Sequence, residues 1–524
     1  MKKYIFRILF FLSLTATLVS CDGWLTAPQP GVTKLEDFFT SGNAALQAIN
    51  GAYVPLMWEF NSTYYPEWFI GDVMSDDALK GGQSIGDMSM VYDMENFKTA
   101  TNNTYLLDFY RGQYQGIARA NLVLEQVPPM KYDSILNESL KNRILGEARY
   151  LRAMYYFRLV RVFGGVPKVD FVIQTTAQWK QPRATKEDIY NFIISDLESA
   201  NALLWKKSKY PATDLGRATK GAAQAMLLKT NLYLKQYDKA KAWGDSIINS
   251  GEYSLVSNYA DNFTLAGENG KESVFEIQYM DDPTSDYGQG NGFTRGTFTV
   301  ILTRSRSSKA GGWGFNKPTQ NLYDAYEPND PRRDVTIFNP TDADITNPNE
   351  EIYLGSRYCS RKYAMMNPDG SYITLSHFSR GPINNKVIRY ADVLLMYAEA
   401  SVETNNTDRA KWALESVRNR ARGGVAGILP SFPYDSYTDT PDDLRQAIRH
   451  ERRVELAMEG HRWFDLVRWG IVKQVMDKET GSYGKNESAA ARNEMSPFVE
   501  GKNELFPIPA AEIDLNPMTQ NPGY

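Results

Sequence analysis

Apolar residues recur at Ile144, Ala148, Leu151, Tyr155, Leu159 and Val162, steps of four, three, four, four and three that put them on one stripe of a helix. The stripe stops at Gly164-Gly165-Val166-Pro167, where a helix is expected to end. A helical pair is predicted from Ala218 to about Asn249. Ala222, Ala225, Met226, Leu228, Leu232 and Tyr233 precede a short Lys-Gln turn, and Tyr237, Ala240, Ala242, Ile247 and Ile248 follow it. Small residues inside such a pair allow close approach, as in tetratricopeptide packing. Residues 391–421 repeat the arrangement around a break at Thr404-Asn405-Asn406-Thr407-Asp408. With helices near 43–57, 105–126 and 186–205, about four helix pairs are expected.

Between about 255 and 390 the 3.6-residue period disappears. Gly, Asn, Asp, Pro and aromatic residues dominate, with β-like runs at Ser273–Ile277 and Phe298–Ile301. The expectation is a mainly α protein, a tetratricopeptide-like helix-pair scaffold with a loop-rich subdomain containing short strands. Its parts are an N-terminal helical part at 35–254, a loop-rich, ligand-binding insertion at 255–390 and a C-terminal helical part at 391–524. A rigid scaffold carrying variable loops is a common way to build a binding surface.

The first twenty residues carry only Lys2, Lys3 and Arg7 as charges before an apolar run, which is a signal peptide and not part of the fold. Leu18-Val19-Ser20-Cys21 reads as a lipobox, with Cys21 the lipidated residue and 21–34 a tether; the alternative is an ordinary signal peptide with an incidental cysteine. Removing residues 1–20 lowers Lys+Arg from 58 to 55 against 62 acids, a net charge of −7, so nucleic acid is not an expected partner. Only Cys359 then remains as a thiol, which leaves no internal disulfide. No later stretch approaches the roughly 20 apolar residues of a spanning helix, so the membrane is to be met through lipid alone.

Catalytic patterns are weak. Gly82-Gln83-Ser84-Ile85-Gly86 matches a nucleophile elbow, but Asp76, Asp77 and Lys80 stand where its buried strand belongs. Three histidines, His377, His450 and His461, with one mature cysteine cannot close a structural zinc site without carboxylates, and no cofactor or metal is expected. Asp342, Asp344, Asn347 and Glu350 lack the turn glycine of an EF-hand and read as a solvated loop. Glu451, Glu455 and Glu459 share one helix face, and Arg445, Arg449 and Arg453 form another row. Like charges so spaced repel, so partners are expected on other elements, with Arg418, Arg420, Arg422, Arg462, Asp465 and Arg468 the candidates. Acids held ionised by arginines make poor proton donors, which favours a structural ion network over glycosidase chemistry.

The same segments resemble the SusD/RagB family of Bacteroidetes outer-membrane lipoproteins. The run Arg389-Tyr390-Ala391-Asp392-Val393-Leu394-Leu395 through Glu399-Ala400 is similar to its R-Y-A-D-V-L-L-x-x-A-E-A helix. Glu451 through Gly460, with Arg462-Trp463-Phe464-Asp465-Leu466 and Arg468-Trp469-Gly470, resembles its E-R-R-x-E-L-x-x-E-G-x-R-W-x-D-L-x-R-W segment. Further landmarks are Asn50–Tyr53, Ile117–Asn121, Glu147–Ala153, Phe506–Pro509 and Gln520–Tyr524, so the resemblance spans the mature chain. It implies lipid anchoring at the outer membrane with display on the cell surface, and a lid role over a SusC-like TonB-dependent transporter with oligosaccharide held between them. A peptide-binding lid and a secreted glycoside hydrolase are the alternatives.

The chain contains 32 Tyr, 24 Phe and 10 Trp, and aromatic faces capture sugars against their C–H patches. The candidates in polar loop contexts are Trp313, Tyr287, Phe315, Tyr92, Tyr64, Tyr65, Trp68 and Trp58, with Phe293 beside them. Trp313, flanked by Gly312 and Gly314, ranks first because its neighbours shield it least.

Overall fold

The computed structural model describes residues 35–59, 66–283, 295–307, 311–345, 347–367, 371–377, 379–483 and 488–524. Nine long helices among the described residues organise it: α1 (Gly42–Tyr53), α2 (Thr104–Gln126), α3 (Glu138–Phe163), α4 (Lys186–Leu203), α5 (Lys220–Tyr233), α6 (Tyr237–Asn249), α7 (Tyr390–Glu403), α8 (Thr407–Arg422) and α9 (Pro441–Leu456). Each packs against the next in chain order, so α1 to α8 form four helix pairs. The expected mainly α scaffold is therefore the observed one.

The helix starts follow from local chemistry. Ser41, Asn103, Asn137, Thr219, Asn406 and Thr440 each accept a backbone N–H of the first turn through the side chain. Thr185 and Asp188 form a reciprocal capping box at α4. Gly423, in the left-handed region, ends α8. The buried stripe on α3 contains Ile144, Ala148, Leu151, Tyr155, Leu159 and Val162, as its periodicity predicts.

Although about 140 residues separate them in sequence, α6 packs directly on α7. The helical stack thus continues across the loop-rich insertion. That insertion is pinched at its base by an antiparallel pair, β2 (Ser273–Ile277) with β6 (Asn385–Arg389), whose last residue leads straight into α7. Two further antiparallel pairs join β1 (Ala78–Gly81) to β3 (Phe315–Pro318) and β4 (Ile337–Phe338) to β5 (Cys359–Ser360). The first of these draws residues near 80 into the loop-rich body. One main apolar core runs through helices and insertion alike, with a small second cluster around Tyr259, Phe263, Val300 and Tyr363.

The β-like run Phe298–Ile301 is not a strand. Thr299–Thr303 is a short helix, every residue of it buried, with the Thr303 hydroxyl donating to the Thr299 carbonyl at 2.8 Å. Tertiary burial overrides the strand preference of Val300 and Ile301 there. No helix among the described residues is long and apolar enough to cross a membrane.

Candidate ligand-binding face

The β1–β3 pair brings the Gly-rich segment 82–88 beside the segment carrying Trp313. Gly82 donates its N–H to the Gly314 carbonyl at 2.9 Å, and the pairing requires glycine at Gly81. A Cβ there would lie 2.1 Å from the Gly314 oxygen, and its φ of +78° is a conformation that residues with side chains rarely adopt. The buried Lys80 ammonium organises the segment by donating to the carbonyls of Gly81 (2.8 Å), Ser84 (3.0 Å) and Asp87 (2.5 Å). It sits 5.5 Å from the Phe315 ring centroid and 5.0 Å from that of Tyr353. Burial pushes its pKa down to about 8, with Glu95 and Asp87 opposing the fall.

Trp313 is half-buried at the edge of this pair. Its N–H donates to the Ile301 carbonyl at 2.8 Å, its carbonyl accepts from Arg306 at 3.3 Å, and its ring leans on Phe298 with centroids 5.7 Å apart. The Arg380 guanidinium lies 3.5 Å from the Phe298 centroid. Trp313 is therefore a partly exposed ring on a built support, with Phe298 fully buried behind it. Tyr92, also half-buried, projects from the short helix Ser89–Glu95; its hydroxyl donates to Glu494, and Lys98 lies 5.3 Å from its ring centroid. Burial and the adjacent Glu494 hold that phenol well above its ordinary pKa.

Three of the sequence candidates are packing residues. Phe315 is 2% exposed, set edge-on to Phe69 and covered by Lys80. Trp68 is buried against Phe69 with centroids 4.1 Å apart, and its indole N–H donates to the Thr299 hydroxyl at 3.1 Å. Trp58 is buried with the Arg119 guanidinium 5.0 Å from its ring. None of the three offers a flat open face to a sugar. Tyr64, Tyr65, Tyr287, Phe293 and Cys21 lie outside the described residues.

The carboxylate row is sealed into an ion lattice. Glu455, fully buried, accepts from Arg389 at 2.5 Å, from Arg332 at 2.9 Å and from Arg420; Glu451 accepts from Arg418 at 3.0 Å and from Arg332. Glu459 pairs with Arg389 at 2.8 Å and Lys362 at 2.7 Å. Despite desolvation acting the other way, Arg389 and Lys362 hold the Glu459 carboxyl down at about 2. Arg418 and Arg420 are partners that the sequence proposed. The remaining candidates go elsewhere: Arg422 to Glu415, Arg462 to Asp76, and Arg468 to Asp465 and Glu399. Arg332, Lys362 and Arg389 were not among the expected partners. This lattice fastens the insertion to α8 and α9.

Ser84 sits in the exposed loop under which Lys80 is anchored, after a two-stranded antiparallel pair and not a doubly covered sheet. Among the described residues no group of three or more His, Cys, Asp or Glu is placed to hold a metal ion. An internal cavity of about 100 Å³, lined by Trp58, Glu59, Trp68, Arg158, Lys229 and His461 among others, is below the ~300 Å³ of an ordinary small-molecule pocket and suits a few waters. A roomier groove of about 520 Å³ on the helical scaffold has Trp205 as its one aromatic, and Arg143 and Lys209 cover that ring.

Comparison with known proteins places these features in a family. Residues 271–524 match the model of the SusD family, and residues 57–234 match a model described as "Starch-binding associating with outer membrane". The chain is 28% identical over 550 residues to "SusD-like protein P2" of Formosa agariphila, covering 100% of each. Its fold matches the solved structure of a "Laminarin binding SusD-like protein" with a TM-score of 0.75 and 27% identity, over 93% of this chain and 100% of that one. It also matches surface glycan-binding protein A from Bacteroides thetaiotaomicron in complex with laminarihexaose, with a TM-score of 0.75 and 24% identity over 91% and 99% of the chains, a likeness of fold.

Proposed function

Because the chain belongs to the SusD/RagB family, we propose that it is a non-catalytic glycan-binding lipoprotein, anchored in the outer membrane through lipid on Cys21. It captures oligosaccharide and delivers it to a SusC-like TonB-dependent transporter, over which it acts as the lid. The observation that carries the binding reading is Trp313, a half-buried, partly open residue braced by Phe298 at the edge of a Gly-rich pair. An apolar face with a rigid backing can stack on a sugar without being ordered at the moment of binding. The non-catalytic reading rests on the sealing of Glu451, Glu455 and Glu459, each buried and bonded to arginine, so that none is free to donate a proton to a glycosidic oxygen.

Likeness to a laminarin-binding protein makes β-glucan oligosaccharides the first probes, and the match to a starch-binding family model makes malto-oligosaccharides the second. A glycan array on the soluble protein lacking residues 1–21, followed by calorimetric titration of the hits, tests the reading. Binding of a sugar that is recovered intact supports it, whereas shortened sugar products contradict it. Co-purification of the full chain with an outer-membrane barrel from its native host tests the transporter assignment.

A further inference from the structure

Glu59 lies buried between Trp58 and the first residue of a segment outside the described chain. Five donors converge on its two carboxylate oxygens. Oε2 accepts from the Thr297 hydroxyl and the Phe298 N–H, both at 2.7 Å. Oε1 accepts from the Tyr279 hydroxyl at 2.8 Å, the Asn385 amide at 2.9 Å and the Thr299 hydroxyl at 3.3 Å. No described lysine or arginine pairs with it, and its partners among the described residues are all neutral dipoles. Its partners come from both ends of the insertion, and two of them lead directly to Trp313. The Phe298 ring backs the indole, and the short helix that begins at Thr299 supplies the Ile301 carbonyl on which the Trp313 N–H rests.

We propose that Glu59 is the positioning residue of the ligand-binding face, setting the orientation of Trp313 through Phe298 and the helix Thr299–Thr303. It acts through these groups and need not touch ligand. The proposal deepens the assignment of Trp313 as the sugar platform and rests on that reading for its binding consequence, but its structural consequence stands without it.

The donor pattern makes an unusually sharp test. In Glu59→Gln the hydroxyls of Thr297, Thr299 and Tyr279 can rotate to suit an amide, but the Phe298 N–H and the Asn385 amide face opposite oxygens. One of them must then meet an N–H, or Asn385 must turn its NH₂ to where its Oδ1 now sits buried without a bond. Asn385→Asp alone would set two carboxylates against each other. In the double variant Glu59→Gln/Asn385→Asp the new amide donates to the new carboxylate while its oxygen keeps the Phe298 N–H, which restores the pattern.

The experiment is ¹⁹F NMR of protein labelled with 5-fluorotryptophan, with the Trp313 resonance assigned by its loss in Trp313→Phe, run beside titration with the sugar found on the array. Each single variant is expected to move or broaden the Trp313 resonance and to weaken binding about tenfold, the value of one buried donor left unpaired. The double variant should return both toward the wild type. If Glu59→Gln does not fold, Tyr279→Phe, which removes one donor of the five, is expected to shift the same resonance to a smaller extent. An unmoved Trp313 resonance in the foldable variants, or no recovery in the double variant, overturns the proposal. A shifted and rescued resonance with unchanged sugar affinity leaves Glu59 as the positioner and removes Trp313 from the binding site instead.

Discussion

Arg389, the last residue of β6, places its guanidinium 2.5 Å from the Glu455 carboxylate of α9, and the two side chains are 1% and 0% exposed. The contact joins the end of the insertion to α9. Arg332 from within the insertion and Arg420 from α8 share the same acid. Removing Glu455 therefore leaves three buried guanidinium groups short of an anion. Glu455→Ala is expected to destabilise the protein by about 3–5 kcal/mol, read from urea denaturation, with sugar binding retained in whatever fraction remains folded. Unchanged stability together with lost binding would mean that this face is a ligand site.

Glu459 and Asp465, whose pKa values are held at about 2, give stability a definite acid branch. Their folded pKa values lie below the ordinary 4.5 and 3.8. The stability they contribute is therefore complete above about pH 4.5 and is lost as pH falls toward 2. Thermal melts across that range should show a falling melting temperature, and a flat profile would contradict the lattice.

Asp72 carries the opposite sign. Burial raises its carboxyl from 3.8 to about 7, although the Asn316 amide and the Gly460 N–H both donate to it. Between those values the folded state holds a proton that the unfolded chain has lost, so stability falls as pH rises through the window. Asp72→Asn keeps the shape of the protonated acid, and its NH₂ is accommodated when Asn316 turns its amide to present the Oδ1 that now lies buried without a bond. It is expected to raise the melting temperature at pH 8 relative to the wild type and to change it little near pH 4. Equal effects at the two pH values would show that the carboxyl does not titrate there.

Cys21 follows Leu18-Val19-Ser20 at the end of the apolar leader. In Cys21→Ala, palmitate labelling should disappear and the protein should leave the membrane fraction. Continued labelling in the outer membrane would place the lipid elsewhere.

The helical scaffold was legible because its signals are local. The α3 stripe, its stop at Gly164-Gly165-Val166-Pro167 and the break at 404–408 each lie in or beside the helices that they specify. The Glu451, Glu455 and Glu459 row was equally visible, and its helix spacing correctly demanded cationic partners. Three of the five partners were hidden, since Arg332 and Arg389 stand 123 and 66 residues from Glu455, Lys362 stands 97 from Glu459, and no local pattern marks them. Three of the aromatic candidates, Trp58, Trp68 and Phe315, are buried for a different reason. Polar neighbours suggested exposure around Trp68 and Phe315, yet Asp72, Asp76, Asp77, Lys80, Asn316 and Lys317 are themselves buried and paired. Polarity there reflects internal hydrogen bonds and ion pairs, not solvent. Glu59 left no local sign in the sequence, because its donors stand 220 to 326 residues away.

The central claim is that this protein holds a sugar on Trp313 and does not cut it. The most direct measurement is calorimetric titration of the soluble protein and of Trp313→Ala with the array-selected oligosaccharide, with the sugar recovered and sized afterwards and both proteins melted thermally. Intact sugar, a loss of about 1–3 kcal/mol of binding in the variant and only a modest fall in melting temperature are predicted, because Trp313 is a half-buried ring resting on Phe298 and not a core residue. Phe315→Ala, by contrast, should lose about 3–5 kcal/mol of stability. Undiminished affinity in Trp313→Ala, or shortened sugar after incubation with the wild type, would contradict the claim.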